Sequence, residues 1–330
     1  MYIFSQNSMM GSTIVDEFKR KGATETMLVT MKEILDRVRE DGYCLPAPNV
    51  VCEVDARAAI AAGEEANTPL ILDIAHWHHP DMIFLGEIVC RLAEQTPLPV
   101  AINIDHGKSV AQLMDAFRAG FTSVMCDFSM EPFDIHVQKA QKVVEFAHAV
   151  GLTVEAELGH VGEGSNYAVD GVSCLTDPQE ARIFVEQTGV DALAVAIGTA
   201  HGFYEGEPKI DVPRLDAIRQ ACKETDVHLV LHGGSNTGFD KLQTAAAHGI
   251  TKMNVGHDLW YGAIEGVKAY HGNESFFWGA AADGYKCVLL QYFEALGATG
   301  KAWKCAPESG RTWYIGTDTK FRLNDNGRKE

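Results

Sequence analysis

The chain has 330 residues, 45 of them acidic and 28 basic, giving a formal charge of −17, a pI near 5.2 and 46% apolar side chains. That is the composition of a folded globular protein, and it excludes collagen-like and disordered classes. An acidic surface with no offsetting basic stripe repels phosphate backbones, and no run approaches the roughly 18 apolar residues of a membrane span. No nucleic-acid or membrane partner is therefore expected. The opening MYIFSQNSMM lacks the basic-then-apolar order of a signal peptide, and the eight cysteines are scattered without a C-x-x-C pair; a reduced, cytoplasmic protein is the expectation.

Residues 1–26 show no periodicity and read as an N-terminal extension. Beyond them two kinds of segment alternate. MKEILDRVRE has helical spacing and YCLPAPNV reads as a strand; VDARAAIAAGEEA leads to PLILDI, IFLGEIVCRLAEQ to PVAINI, and VAQLMDAFRAG to SVMCD. VQKAQKVVEFAHAVG then precedes TVEAEL, PQEARIFVEQTG precedes ALAVAI, VPRLDAIRQACKET precedes HLVLHG, and FDKLQTAAAHG precedes KMNVGH. Strands apolar on both faces, each followed by a crossover helix, call for a parallel sheet covered on both sides. Eight such units are what a (β/α)8 TIM barrel needs. An open doubly wound sheet is the competitor, but its G-x-G-x-x-G fingerprint after the first strand is absent. A single α/β barrel domain over 27–305 is expected, with a helix at 278–298 packed on it and a polar tail at 306–330.

In such a barrel chemistry collects at the carboxyl ends of the strands. Those ends carry Asn49, then Asp73 with His76, His78 and His79, then Asp105, His106 and Gly107, then Asp127. Glu155 and Glu157 end the fifth strand, Thr199, Ala200, His201 and Gly202 follow the sixth, His232 to Ser235 follow the seventh, and Asn254, His257 and Asp258 follow the eighth. His106, His201 and His232 suit a zinc ion, because three neutral imidazoles leave a fourth position open for a substrate oxygen. Asp105 stands where a general acid/base is wanted, or else caps the helix after Gly107. Glu155 and Glu157 share one side of their strand; they tune the site, hold a second cation, or are satisfied by lysines inside the barrel.

The motifs INIDHGKS, GFTSVMCDFS, VEAELG, AVAIGTAHGFYEGEPKID, LVLHGGS and KMNVGHDL resemble, in order, those of the class II, zinc-dependent fructose-bisphosphate and tagatose-bisphosphate aldolases. The resemblance spans about residues 27 to 305. It implies zinc held by His106, His201 and His232, proton exchange at Asp105, and a secondary cation site at Asp127 and Glu157. It also implies a cradle for the dihydroxyacetone phosphate half made of Gly202, Gly233, Ser235 and Asn254; Asn49 and His257, at neighbouring strand ends, are further candidate substrate contacts. The implied reaction is reversible aldol cleavage of a ketose or ketose phosphate, in a homo-oligomer of two or four chains, with zinc stabilising the enediolate.

Departures cluster where the family binds anions. Glu205 stands in place of a lysine, Gly256 and His257 replace an aspartate and a threonine, and Trp260 occupies the position of an arginine. Ala75 takes the place of a serine, and the proton-abstracting carboxylate of the loop after strand five is lost or displaced to Glu163. Phosphate recognition therefore reads as rebuilt, with Glu205 repelling anions from a partly desolvated pocket. A substrate other than fructose 1,6-bisphosphate is expected. Two alternatives stand beside this reading: a metal-dependent sugar isomerase or epimerase, and a non-catalytic zinc-binding homologue.

Overall fold

In the computed structural model, residues 28–162, 164 and 175–303 are described. The expected terminal segments, 1–26 and 306–330, and Glu163 lie outside the described residues. The elements run α1 Met31–Asp41, β1 Leu45–Pro48, α2 Glu53–Ala66, β2 Leu70–Ala75, α3 Met82–Ala93, β3 Val100–Gly107, α4 Val110–Arg118, β4 Ser123–Cys126, α5 Phe133–Ala149 and β5 Thr153–Leu158. They continue with α6 Pro178–Thr188, β6 Ala192–Val195, α7 Val212–Ala221, β7 His228–Leu231, α8 Phe239–Ala247, β8 Ile250–Val255, α9 His257–Ala269 and, after a short 3-10 turn, α10 Phe277–Ala295.

All eight strands pair in parallel in the order β1-β8-β7-β6-β5-β4-β3-β2. A bridge between Asn49 and Asp73 joins the two outer strands at their carboxyl ends, and Val50 N–H donates to Asp73 O at 2.8 Å. The result is a nearly closed TIM barrel. Every residue of the eight strands is buried, as two-sided covering of a parallel sheet requires. Helix starts follow local chemistry: Thr30, Ser109, Asp177 and Asp211 accept from backbone N–H groups of the first turns of α1, α4, α6 and α7. Ser109 holds the N-cap of α4, so the reading of Asp105 as a helix cap does not stand.

Helix α9 escaped the sequence reading. Gly262 and Gly266 weaken its apolar pattern, and only packing explains them. A Cβ at Gly266 would lie 2.3 Å from Ala280 O, and one at Gly262 would lie 2.6 Å from Val288 Cγ2, so the glycines let α9 and α10 approach backbone to backbone. Within α10, buried Tyr285 donates its hydroxyl to Asn49 O at 2.8 Å. The C-terminal helix thereby fixes a residue at the barrel mouth.

His136 of α5 is 1% exposed and lies against Phe184 and Phe128, with ring centroids 4.4 and 6.4 Å away. Burial pushes its pKa down to about 4, against the pull of Asp127, Glu157 and Glu131. The native state keeps the imidazole neutral down to that pH, whereas the unfolded chain takes up a proton below about pH 6.5. Stability contributed by the neutral side chain is thus lost as pH falls from about 6.5 toward about 4. In metal-free protein, His136→Leu is expected to flatten the acid fall of the melting temperature across that window; equal slopes in the two proteins would refute the assignment.

Candidate functional site

The third strand ends in an irregularity that creates the site. Successive residues of a regular strand face opposite sides, yet Asp105 and His106 both line the mouth. The register of β3 against β4 shifts between Ile104 and Gly107, and His106 takes a left-handed backbone with φ of 52°. Such a bulge re-aims side chains at a cost of about 1–2 kcal/mol for a non-glycine residue. The hydrogen bond from buried His106 Nδ1 to Asp127 Oδ2, 2.9 Å long, offsets it, since bonds to charged groups contribute about 1.5–3 kcal/mol.

His106, His201 and His232 come together at the ends of β3, β6 and β7. One nitrogen of each lies within 4.8 Å of the others, and among the described residues this is the group whose donor atoms converge. His106 Nε2 and His232 Nδ1 face each other at 2.9 Å. That is about half an ångström shorter than the edge, about 3.4 Å, of a tetrahedron with metal–nitrogen bonds of about 2.1 Å, so a small outward shift of the rings would admit an ion. The rear nitrogens are held by carboxylates: Asp127 behind His106, and Glu155 Oε1 behind His232 Nε2 at 2.8 Å. Carboxylate-backed imidazoles are the usual outer shell of a metal site, because they fix the tautomer and the ring orientation.

Electrostatics agree. Asp73, Asp105, Asp127, Glu155 and Glu157 are all buried here, and Lys252 is the buried ammonium among them. Glu157 Oε2 has no hydrogen-bond partner and lies 4.0 Å from His232 Nδ1. Burial disfavours a charged His106, but Asp105, the bond to Asp127, and Glu157 hold its pKa up at about 10. Burial, reinforced by the two other histidines, pushes His201 down to about 3, so its lone pair is free at neutral pH. The residues therefore fit a divalent cation: it would take the place of a proton on His106 and meet a neutral His201.

The expected roles of Asp127 and Glu157 separate in the structure. Asp127 is engaged with His106 and, through Oδ1, with Ser129 Oγ at 2.7 Å, which leaves it behind the His106 ring. Glu157 keeps an unpartnered oxygen beside the triad. Of the two lysine-or-cation readings for the β5 pair, Glu155 takes the lysine, accepting from Lys252 Nζ at 2.9 Å.

Asp105 sits beside the triad, its Oδ1 3.8 Å from His106 Nε2. Asn49 Nδ2 donates to its Oδ2 at 2.7 Å and Asn254 Nδ2 to its Oδ1 at 3.0 Å. Burial raises its pKa, but His106, His232, Lys252 and Asn49 outweigh that and hold it at about 2. An ionised, doubly oriented carboxylate results. Gly233, with φ of 70°, allows β7 to turn against the β6 loop, where a Cβ would lie 2.3 Å from Ala200 O. Ser235 Oγ accepts from the N–H groups of Gly256 and Asp258 at 3.1 and 3.3 Å, so it caps α9 while facing the cleft.

The cleft above the triad opens to solvent and has a volume of about 270 Å³, at the small end of the range for small-molecule sites. Asn49, Gly202, Gly233, Ser235, Asn254 and His257 all line it. Lys108, one of the lysines the sequence offers as reaching inward, lines it as well, and the sequence reading missed Trp77 and His160, which line it too. Lys108 adjoins the Asp-His-Gly motif and Trp77 lies inside the histidine cluster, which was the available signal. That cluster divides: His78 lines the cleft, whereas His79 Nδ1 bonds to the backbone of Asp81 at the start of α3. His76 does not line the cleft.

The anion-binding departures divide as well. Trp260 packs edge-on against His78 and His257, with centroids 5.2 and 5.4 Å apart. Gly256 makes room for it, since a Cβ there would lie 3.1 Å from the indole and 2.9 Å from Asn49 Oδ1. Glu205 is exposed and does not line the cleft. The expected repulsion from Glu205 inside a desolvated pocket is thus corrected: its neighbour Tyr204 turns inward, donating to Gly233 O and accepting from Ala200 N, which sends Glu205 outward.

A family model described as Fructose-bisphosphate aldolase class-II matches residues 29–301. A Thermus caldophilus protein named fructose-bisphosphate aldolase is 38% identical over 311 residues, covering 84% of this chain and all of that one. One of the same name from Staphylococcus aureus strain Mu50 is 37% identical over 254 residues, covering 75% of this chain and 87% of its own. Among solved structures, the YdjI aldolase of Escherichia coli K12 superposes with a TM-score of 0.75 at 29% identity, covering 84% of this chain and 100% of that one.

Proposed function

The chain belongs to the class II fructose-bisphosphate aldolase family, and from that premise we propose that it is a zinc-dependent aldolase cleaving a ketose other than fructose 1,6-bisphosphate. The observation that carries the metal-dependent reading is the convergence of three imidazole nitrogens within 4.8 Å beside a carboxylate oriented by two asparagines. A zinc ion held by His106, His201 and His232 supplies Lewis-acid polarisation of a substrate oxygen. Asp105 takes the proton from the hydroxyl at the scissile carbon bond and returns it in the reverse direction. Asn49 and Asn254 keep both of its oxygens aimed, and the ionised state in which it waits is the one a base needs.

The substrate reading rests on the cleft walls. Among the described residues Lys108 is the lysine that lines the cleft and no arginine does; the Lys108 Nζ lies 5.5 Å from the Trp77 ring centroid. The opposite wall is aromatic, with His78, His257 and Trp260 in mutual edge contact. A second phosphate calls for a charged clamp beyond the neutral cradle of Gly202, Gly233 and Ser235, and this wall offers flat rings and imidazole hydrogen bonds suited to a neutral or singly charged sugar.

Incubating purified, zinc-loaded protein with a panel of phosphorylated and unphosphorylated ketoses tests this. Two fragments per turnover, lost on chelation and restored by zinc, are expected; a single isomeric product would establish the isomerase reading instead. Within the panel, the specificity constant for fructose 1,6-bisphosphate should fall below that of the best unphosphorylated ketose. Trp260→Arg should raise the bisphosphate value about tenfold relative to the neutral ketose, the worth of one charge-assisted contact. A bisphosphate preference in the unmodified protein would overturn the substrate assignment while leaving the aldolase intact.

A further inference from the structure

We propose that Lys252 is a positioning residue for the reaction: one buried ammonium turns Asn254 toward Asp105 and Glu155 toward His232, setting the base and a metal ligand in a common frame. The proposal rests on the aldolase reading above. Lys252 and Asn254 lie two residues apart on β8, so both point into the barrel. The lysine is fully buried. Its Nζ lies 3.1 Å from Asp73 Oδ2 and donates to Glu155 Oε2 at 2.9 Å and Asn254 Oδ1 at 2.7 Å.

An ammonium has three donors and no acceptor, so the atom that Asn254 turns to it must be its carbonyl oxygen. The amide nitrogen is thereby forced to the other side, where it meets Asp105 Oδ1 at 3.0 Å. With the lysine gone, the amide loses the anchor on its oxygen and can swing out of its plane, so its bond to Asp105 Oδ1 loosens and the carboxylate is held on one side only. The second arm works on the tautomer. Glu155 spends Oε2 on Lys252, and its Oε1 accepts from His232 Nε2 at 2.8 Å. A proton on Nε2 leaves the lone pair of His232 on Nδ1, the nitrogen that faces His106 Nε2 at 2.9 Å.

A lysine that only neutralised buried carboxylates would act independently of Asn254. Lys252→Met keeps the apolar length and deletes the donors; Lys252→Met combined with Asp73→Asn restores the charge balance if the single variant does not fold. In either background kcat for cleavage is expected to fall about a hundredfold with KM changed less than about threefold, because orientation of the base is lost and substrate contacts remain. Asn254→Ala should show a substantial loss, and adding Lys252→Met to it should cost clearly less than the hundredfold of the single variant, because the arm through Asn254 is already gone and only the arm through Glu155 remains to be lost. Multiplicative losses would overturn the proposal.

A readout that needs no catalysis accompanies these. In protein labelled with [15N]asparagine, the side-chain amide protons of Asn254 should exchange slowly in the unmodified protein and rapidly, with moved resonances, in the Lys252 variant. Unchanged Asn254 signals would overturn the positioning role whatever the activity. Absence of cleavage by the unmodified protein would instead bring down the aldolase reading, so the two failures are distinguishable.

Discussion

Replacing His201 or His232 by alanine is expected to remove stoichiometric zinc and to lower turnover by about a thousandfold or more, since Lewis-acid polarisation contributes several kcal/mol to the barrier. The loss should not unfold the barrel: both side chains project from loops or strand ends at the mouth, and neither belongs to the apolar core that includes Ile102, Ile104, Val124, Leu193, Val230 and Met253. The carboxylates behind the ligands should matter less. Asp127→Asn and Glu155→Gln keep a hydrogen-bond acceptor on the rear nitrogens of His106 and His232, so a weakening of zinc affinity by about 10–100-fold is expected. Elemental analysis across the series decides the matter, and a His201→Ala protein that keeps one zinc per chain would sink the ligand assignment.

The second large effect concerns Asp105. Asp105→Asn is nearly isosteric and is expected to retain zinc while kcat drops by a factor of about 10²–10⁴, the range for losing a general acid/base. The structure adds a reason for the upper part of that range. Both oxygens of Asp105 accept from amide donors, Asn49 Nδ2 at 2.7 Å and Asn254 Nδ2 at 3.0 Å, and an asparagine has only one oxygen to offer them. Its own amide group must face a donor, so the side chain is expected to rotate as well as lose its basicity. Steady-state kinetics with parallel zinc measurement tests this, and either loss of the metal or unchanged turnover refutes the role.

Much of the architecture was legible because its physics is local. Strands such as PVAINI and ALAVAI are apolar on both faces, and MKEILDRVRE has one apolar face; those periods specify a buried parallel sheet with covering helices. Helix α9 was not legible, since Gly262 and Gly266 contradict helix propensity and make sense only against Ala280, Gly284 and Val288 of α10.

At the site, residue types and strand ends could be read, and these place His106, His201, His232 and Asp105 at one mouth of the barrel. What the sequence determined by itself was the inventory of candidate ligands and the barrel that gathers strand ends on one face. Only the tertiary structure decided orientation. The left-handed turn at His106 lets two consecutive residues face inward, against the alternation that a strand pattern implies. The buried charges pair across the barrel, Lys252 reaching Asp73 and Glu155 from sequence distances that no motif encodes. Glu205 turns outward because Tyr204 turns in, whereas Trp260 enters the cleft because Gly256 leaves space for it. Direction of this kind depends on what neighbouring strands and loops leave unfilled, a property of the packed molecule that no window of residues contains.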